Sequence, residues 1–171
     1  MQMVKKVSLI VFLVWLAVLV FMPKRAFYYS VEEALAQKDI RLNEVQINEG
    51  WFGLDVENVT LYVKGIEIAK IKEISFFTLL FYTSIQIEDV EVDEALHSKV
   101  PASIQEATLT HTLFMPLSIS VDANGSFGQI EGKVNLLEGT THLDFTKAMD
   151  IETLKPFLKK NEKGWYYEGS F

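Results

Sequence analysis

Two hydrophobic patterns divide this chain. From Val7 to Met22 (VSLIVFLVWLAVLVFM) every residue but one serine is apolar, and from Leu42 onward apolar and polar positions alternate in short runs. At about 1.5 Å of rise per residue the first run makes one helix slightly under the usual hydrocarbon thickness of about 30 Å, which predicts a single membrane span. Lys5-Lys6 precede it and Pro23-Lys24-Arg25 follow it. A cleaved signal peptide has the same basic start and apolar middle. A peptidase site needs small residues at the exit, however, where this chain is bulky, rigid or charged, and that favours a retained anchor. The free amine with Lys5 and Lys6 outweighs Lys24 and Arg25 by about one charge, which predicts a cytoplasmic N-terminus and an exported body. The expected organisation is a cytoplasmic segment 1–6, a signal-anchor helix 7–22, a juxtamembrane linker 23–29 and one exported domain 30–171.

Ser30 and Glu33 have the spacing of a capping box, predicting a short helix from Ser30 to Lys38 with Val31 and Leu35 on its apolar side. Beyond it, Leu42, Val45 with Ile47, Leu54 with Val56, Val59-Leu61-Val63 and Ile66 with Ile68 follow a period of two, the mark of strands with one dry face. Asn48-Glu49-Gly50 and Lys64-Gly65 read as turns or bulges. Ile71 to Tyr82 reads as a strand running into one helical turn at Thr78-Leu79-Leu80. Ile85 with Ile87 and Val90 with Val92 have opposite parity, so an irregular residue is needed near Glu88-Asp89 to keep both pairs on one side.

In the second half Ala107, Leu109, His111 and Leu113 alternate, Pro116 breaks the run, and Leu117, Ile119 and Val121 resume it. Asp122-Ala123-Asn124-Gly125-Ser126 reads as a hairpin tip, because Asn-Gly tolerates the positive φ of tight turns. Ile130, Val134 and Leu136 form the return strand; Glu138-Gly139 turns into Thr141, Leu143 and Phe145. Asp150 or Thr146 is placed to cap a short helix over Ile151 to Lys160 that Pro156 limits or kinks. Trp165, Tyr167, Gly169 and Phe171 alternate as a final strand. Many short strands, few helices and regular turns make the body mainly β and antiparallel.

Charge narrows the partners. Four of the sixteen basic residues and none of the twenty-three acidic ones lie in the first 25 positions, so the rest, with twelve basic residues, carries −11. Phosphates of nucleic acid and anionic head groups repel such a body, and no nucleic-acid partner is expected. Cysteine is absent, which rules out disulfides and thiol chemistry.

The stretch IRLNEVQINEGWFGLDVENVTLYVKG, with Glu57-Asn58-Val59-Thr60-Leu61, then Thr78-Leu79-Leu80, then Ile85, Ile87, Val90 and Val92, resembles the opening of AsmA and TamB-like envelope proteins and of the related type II secretion protein N family. PLSISVDANGSFGQIEGKVNLLEGTTHLDFTKA is similar to the hairpins those proteins repeat. The resemblance implies a curved, half-pipe antiparallel sheet, hydrophobic inside, anchored in the bacterial inner membrane and standing in the periplasm. It implies service to lipid traffic, outer-membrane assembly or secretion by binding rather than by catalysis, with phospholipid and other envelope or secretion proteins as partners. This chain is short for the family, so a long conduit is not expected of it. A groove of this kind would be lined by Val59, Leu61, Val63, Ile85, Ile87, Leu117, Ile119, Val121, Val134 and Leu136, shielding acyl chains at about 25 cal/mol per Å² of apolar surface covered. The same alternating aliphatics can instead close on one another as a core. In that alternative the protein is a structural scaffold, docking other envelope proteins through its acidic face or through a final strand bearing Trp165, Tyr167 and Phe171.

Residues for other chemistry are sparse. His97, His111 and His142 lack metal-ligand spacing, and His111 is in phase with Leu109 and Leu113 as a strand residue. Ser118 and Ser120 alternate with apolar neighbours and face solvent without a nucleophile elbow. Asp55, Glu57, Glu88, Asp89, Glu91, Asp93 and Glu94 fit a solvated face that deters edge pairing better than a cation site. Asn124 sits in an acidic sequon-like sequence that its Asn-Gly turn explains as well, and Asn58 in a plain sequon. No catalytic residue, metal or cofactor is expected, and the aromatic end reads as a docked strand rather than as the closing strand of a transmembrane barrel.

Overall fold

The computed structural model describes residues 2–97, 99–162 and 164–171. An apolar helix α1 (Gln2–Phe21) leads through Met22-Pro23 to α2 (Lys24–Ala36), and the rest is one antiparallel sheet. Its strands are β1 (Ile40–Asn43), β2 (Gln46–Glu49), β3 (Gly53–Val63), β4 (Ile66–Thr78), β5 (Tyr82–Val92), β6 (Ser103–Thr112), β7 (Met115–Gly125), β8 (Gly128–Asn135), β9 (Thr140–Ala148), β10 (Lys159–Asn161) and β11 (Gly164–Ser170). They pair in the order β1-β3-β4-β5-β6-β7-β8-β9-β11-β10, with β2 beside β1 along the same edge of β3, so the sheet is open.

The N-terminal half departs from expectation in four ways. The apolar helix is 20 residues, longer than the uncharged run, because Lys5 and Lys6 are helical too; at 1.5 Å per residue it reaches about 30 Å and is long and apolar enough to cross a membrane. Residues 24–29 are helix rather than linker, since Pro23 caps α2 and fixes the entry backbone. Ser30 therefore lies inside α2, its hydroxyl donating to the Ala26 carbonyl at 2.8 Å, and no capping box forms. The side of α2 that meets the sheet carries Tyr28, while Val31 is exposed.

Corrections of register recur along the sheet. Thr78 to Tyr82 is a tight hairpin without a helical turn: Leu80 is left-handed (φ 70°) and its amide donates to Thr78 Oγ1 at 3.1 Å. Pro116 sits within β7, in a bulge where Thr112 faces Met115 and His111 faces Ile119, so its missing N–H needs no partner on β6. Asn124-Gly125 is strand. The turn is Ser126-Phe127, closed by Gly128 at φ 98°. The segment after β9 makes only a three-residue 3-10 turn, Lys155–Phe157, capped by neither Asp150 nor Thr146, and Lys159-Lys160 are already β10. Lys64-Gly65, both at positive φ (52° and 80°), form the expected two-residue hairpin.

One irregularity shapes the whole body. Val56 and Val59 are both buried on the same side although they differ in parity, and so do Ile71 and Ile74, and Ile87 and Val90. The switch falls at Asn58, Lys72 and Asp89, the positions between paired residues on β3, β4 and β5. Asn58 and Asp89 take left-handed backbone, φ 52° and 50°, which rotates the chain by one residue and keeps the apolar set inward. Two clusters result. Tyr28 of α2 covers Leu54, Val56, Val59, Ala69, Ile71 and Val90; Phe127, Phe145 and Ile151 make the second, and Ile104 packs against both.

Candidate functional site

Directly opposed residues in an antiparallel ladder share a face. Ile85 opposes Leu109, Leu109 opposes Val121, Val121 opposes Gly132, Gly132 opposes Leu143 and Leu143 opposes Tyr167, an apolar row across six strands. The row Ile87-Ala107-Ala123-Ile130-Phe145 runs beside it. Ile119 opposes Val134 on the other side. Ile85, Leu109, Ile119, Val121, Val134 and Leu143 are half-buried. They belong to neither buried cluster: α2 caps β1 to β5, the 149–158 segment caps the far cluster, and the stretch between is an uncovered apolar strip of the open sheet, termed the trough.

The groove candidates therefore divide. Ile85, Ile119, Val121 and Val134 line the trough. Val59, 1% exposed, is closed core, and Leu61 and Ile87 pack against that core. Val63 stands beside the Lys64-Gly65 turn, away from the rest. Leu117 lies in the β7 bulge and Leu136 in the β8–β9 turn, both nearly half exposed. Leu109 and Leu143 were legible from the alternation as trough residues and complete the row. Gly132 was not: a Cβ there would run into the His142 carbonyl, so glycine permits the close approach of β8 to β9 at the trough floor.

The final strand is not the sheet's outer edge along its length. β11 lies between β9 and β10, with β10 reaching only Gly164 to Tyr166. Trp165 packs on the second cluster with Lys160 Nζ 5.4 Å from its ring centre, Tyr167 ends the trough row, and Phe171 is exposed.

The opposite face is polar. Glu57, Glu73, Glu88 and Glu106 oppose one another across β3 to β6. Where the sheet bends, a depression of about 560 Å³ opens beside Lys72 and Asp89, joined at 2.9 Å; that bond holds the Lys72 ammonium above the usual lysine range. The hydrogen bond between Lys159 and Glu168, 2.8 Å apart, shifts the two in opposite directions, the lysine up and the carboxyl down. Under α2, burial and then Glu44 raise the Tyr28 phenol, whose hydroxyl donates to Glu44 Oε2 at 3.2 Å, and the same two causes raise Glu32. Each histidine is engaged locally: His97 Nε2 with the Val92 carbonyl, His111 Nε2 with the Pro116 carbonyl, His142 Nε2 with Asp144 at 3.3 Å. Among the described residues no three His, Asp or Glu side chains gather as a metal site.

No family model, curated protein or solved structure matches this chain.

Proposed function

We propose that this is a membrane-anchored envelope protein of the AsmA-like or type II secretion protein N-like kind, whose trough shelters acyl chains and assists lipid or outer-membrane protein transport by binding. In this reading α1 spans the inner membrane and the sheet stands in the periplasm. The observation that carries it is the uncovered apolar row from Ile85 to Tyr167 on a sheet that does not close. A dry core would have brought a second layer over it, as α2 does over Val56 and Val59. The polar opposite face, with its row of glutamates, leaves the trough as the side suited to lipid.

Native mass spectrometry of the full-length protein, purified in mild detergent and then exchanged, tests the reading. One or more phospholipids retained on the protein are expected. A protein that stays folded and lipid-free points to the scaffold function instead.

A further inference from the structure

The turns at the two ends of the sheet differ in kind. At the end reached by β4, β6 and β8, Trp51, Leu80, Phe81, Leu113, Phe114 and Leu137 are exposed by 74, 46, 43, 65, 91 and 74%. Glu138 is the one charge in the four turns 51–52, 79–81, 113–114 and 136–139. The other end carries Lys64, Asp93, Glu94 and Lys99 in its turns and folds Phe127 inward at 4% exposure. Ile66, Val100, Met149 and Phe157 are exposed there, each beside a charge: Lys64, Lys99, Asp150 and Lys155.

We propose that the apolar rim is seated in the same bilayer that holds α1, among the acyl chains just beneath the head groups. The proposal rests on α1 being a membrane span. Phe81, at the β4–β5 tip, stacks on Trp15 with ring centres 6.0 Å apart and planes at 16°. Trp15 lies six residues, about 9 Å along the axis, inside the Phe21 end of α1, so the rim stands level with the apolar helix rather than beyond it. Leu19 is the one buried residue among those described in the span, and an apolar cleft of about 540 Å³ opens between Phe81 and the helix face Val7-Val11-Trp15.

The rim's backbone is the second, independent observation. Irregular backbone at membrane depth must satisfy its polar groups internally. The amides of Leu79, Leu113 and Leu136 donate to the carbonyls of Tyr82, Phe81 and Leu117 at 2.8–2.9 Å, Leu80 to Thr78 Oγ1, and Leu137 and Glu138 both to Asn135 Oδ1. Six amides of the rim turns are thus bonded within the fold while the side chains beside them stay exposed. On β7 and β8 the apolar side continues from Val121 and Gly132 through Ile119 and Val134 to Leu117 and Leu136 at this rim, an apolar path for an acyl chain from bilayer to sheet.

The chain lacks cysteine, so single-cysteine variants can report depth. Phe114→Cys and Leu137→Cys on separate hairpins, Leu13→Cys on α1 and Lys64→Cys at the far end are each labelled with a polarity-sensitive fluorophore in the full-length chain. They are reconstituted into phosphatidylethanolamine–phosphatidylglycerol vesicles containing brominated phosphatidylcholine. Blue-shifted, bromine-quenched emission is expected at 114, 137 and 13, with unshifted emission at 64. Quenching at 13 without quenching at either 114 or 137 overturns the rim and leaves the span standing; no quenching at 13 overturns the span and the rim with it. Two rim positions on different hairpins keep the test decisive if one variant does not assemble.

Discussion

Asn58 on β3 and Asp89 on β5 stand on either side of Lys72 of β4 in one transverse row, and both hold left-handed backbone. Three adjacent strands thus change pleat at the same level, and the sheet bends along that line. The bend lets Val56 with Val59 and Ile87 with Val90 enter one core under Tyr28 despite their parity.

A β-branched residue is a poor fit to that backbone, for which left-handed φ costs about 1–2 kcal/mol. Asn58→Val and Asp89→Val are each expected to destabilise by about that amount, and Asn58→Gly to be tolerated. Asp89→Asn separates geometry from charge: it removes the exposed, solvent-screened pair with Lys72 while keeping a side chain suited to left-handed φ, and is expected to leave stability close to that of the parent. Urea denaturation in detergent micelles, followed by tryptophan fluorescence, measures all four. Valine variants as stable as the parent would remove the bend from the account of the core.

Tyr28 gives a pH dependence whose sign is fixed by its surroundings. Burial and Glu44 raise its phenol above the ordinary value of 10.0 in the folded state. Its contribution to stability is therefore complete below the unfolded value and is lost as pH rises from there toward the folded one. Tyr28→Phe keeps the ring in the core and loses the bond to Glu44, an expected cost of about 1 kcal/mol at pH 8. The gap between parent and variant should narrow as pH climbs past about 10, since only the parent has this phenol to ionise on unfolding. Paired denaturation curves at pH 8 and pH 11 read the difference directly. A gap that stays constant or widens would contradict the burial of the Tyr28 hydroxyl.

Strands and their dry face were legible because alternation is a local signal: Leu109, Ile119, Val121 and Leu143 are in phase wherever the turns fall. The pleat change at Asp89 was legible too, since Ile85-Ile87 and Val90-Val92 cannot face one way without it. Misplaced turns share one cause. Asn124-Gly125 has the better turn chemistry, yet the ladder continues through it because Ile104 faces Gly125 and Gly125 faces Gly128. Ser30 has cap chemistry, yet Pro23 starts the helix earlier and Tyr28 anchors it. Register set by distant partners overrode local propensity in both. The rim was illegible for another reason: Trp51, Phe114 and Leu137 are unremarkable singly in sequence, and only the topology brings them to one end beside Trp15.

The decision between trough and closed core turns on Val121. It is half-buried, opposes Leu109 and Gly132, and is flanked on its own strand by Ile119 and Ala123. In an open trough, Val121→Glu keeps its carboxylate in water when the protein is empty, so stability should change by less than about 1 kcal/mol. An acyl chain laid over that carboxylate would have to desolvate it, so bound phospholipid should fall about tenfold or more, since 1.4 kcal/mol is a factor of ten. Ser120→Glu is the matched control: one residue away on the polar face, opposite Lys133, it should leave both lipid content and stability unchanged. If Val121 were instead sealed in a core, the glutamate would be buried without a partner and the loss would be several kcal/mol of stability. Chemical denaturation and lipid quantification on the same three proteins therefore separate the two readings. Intact folding with lost lipid supports the trough, whereas collapse of Val121→Glu alone returns the sheet to the role of scaffold.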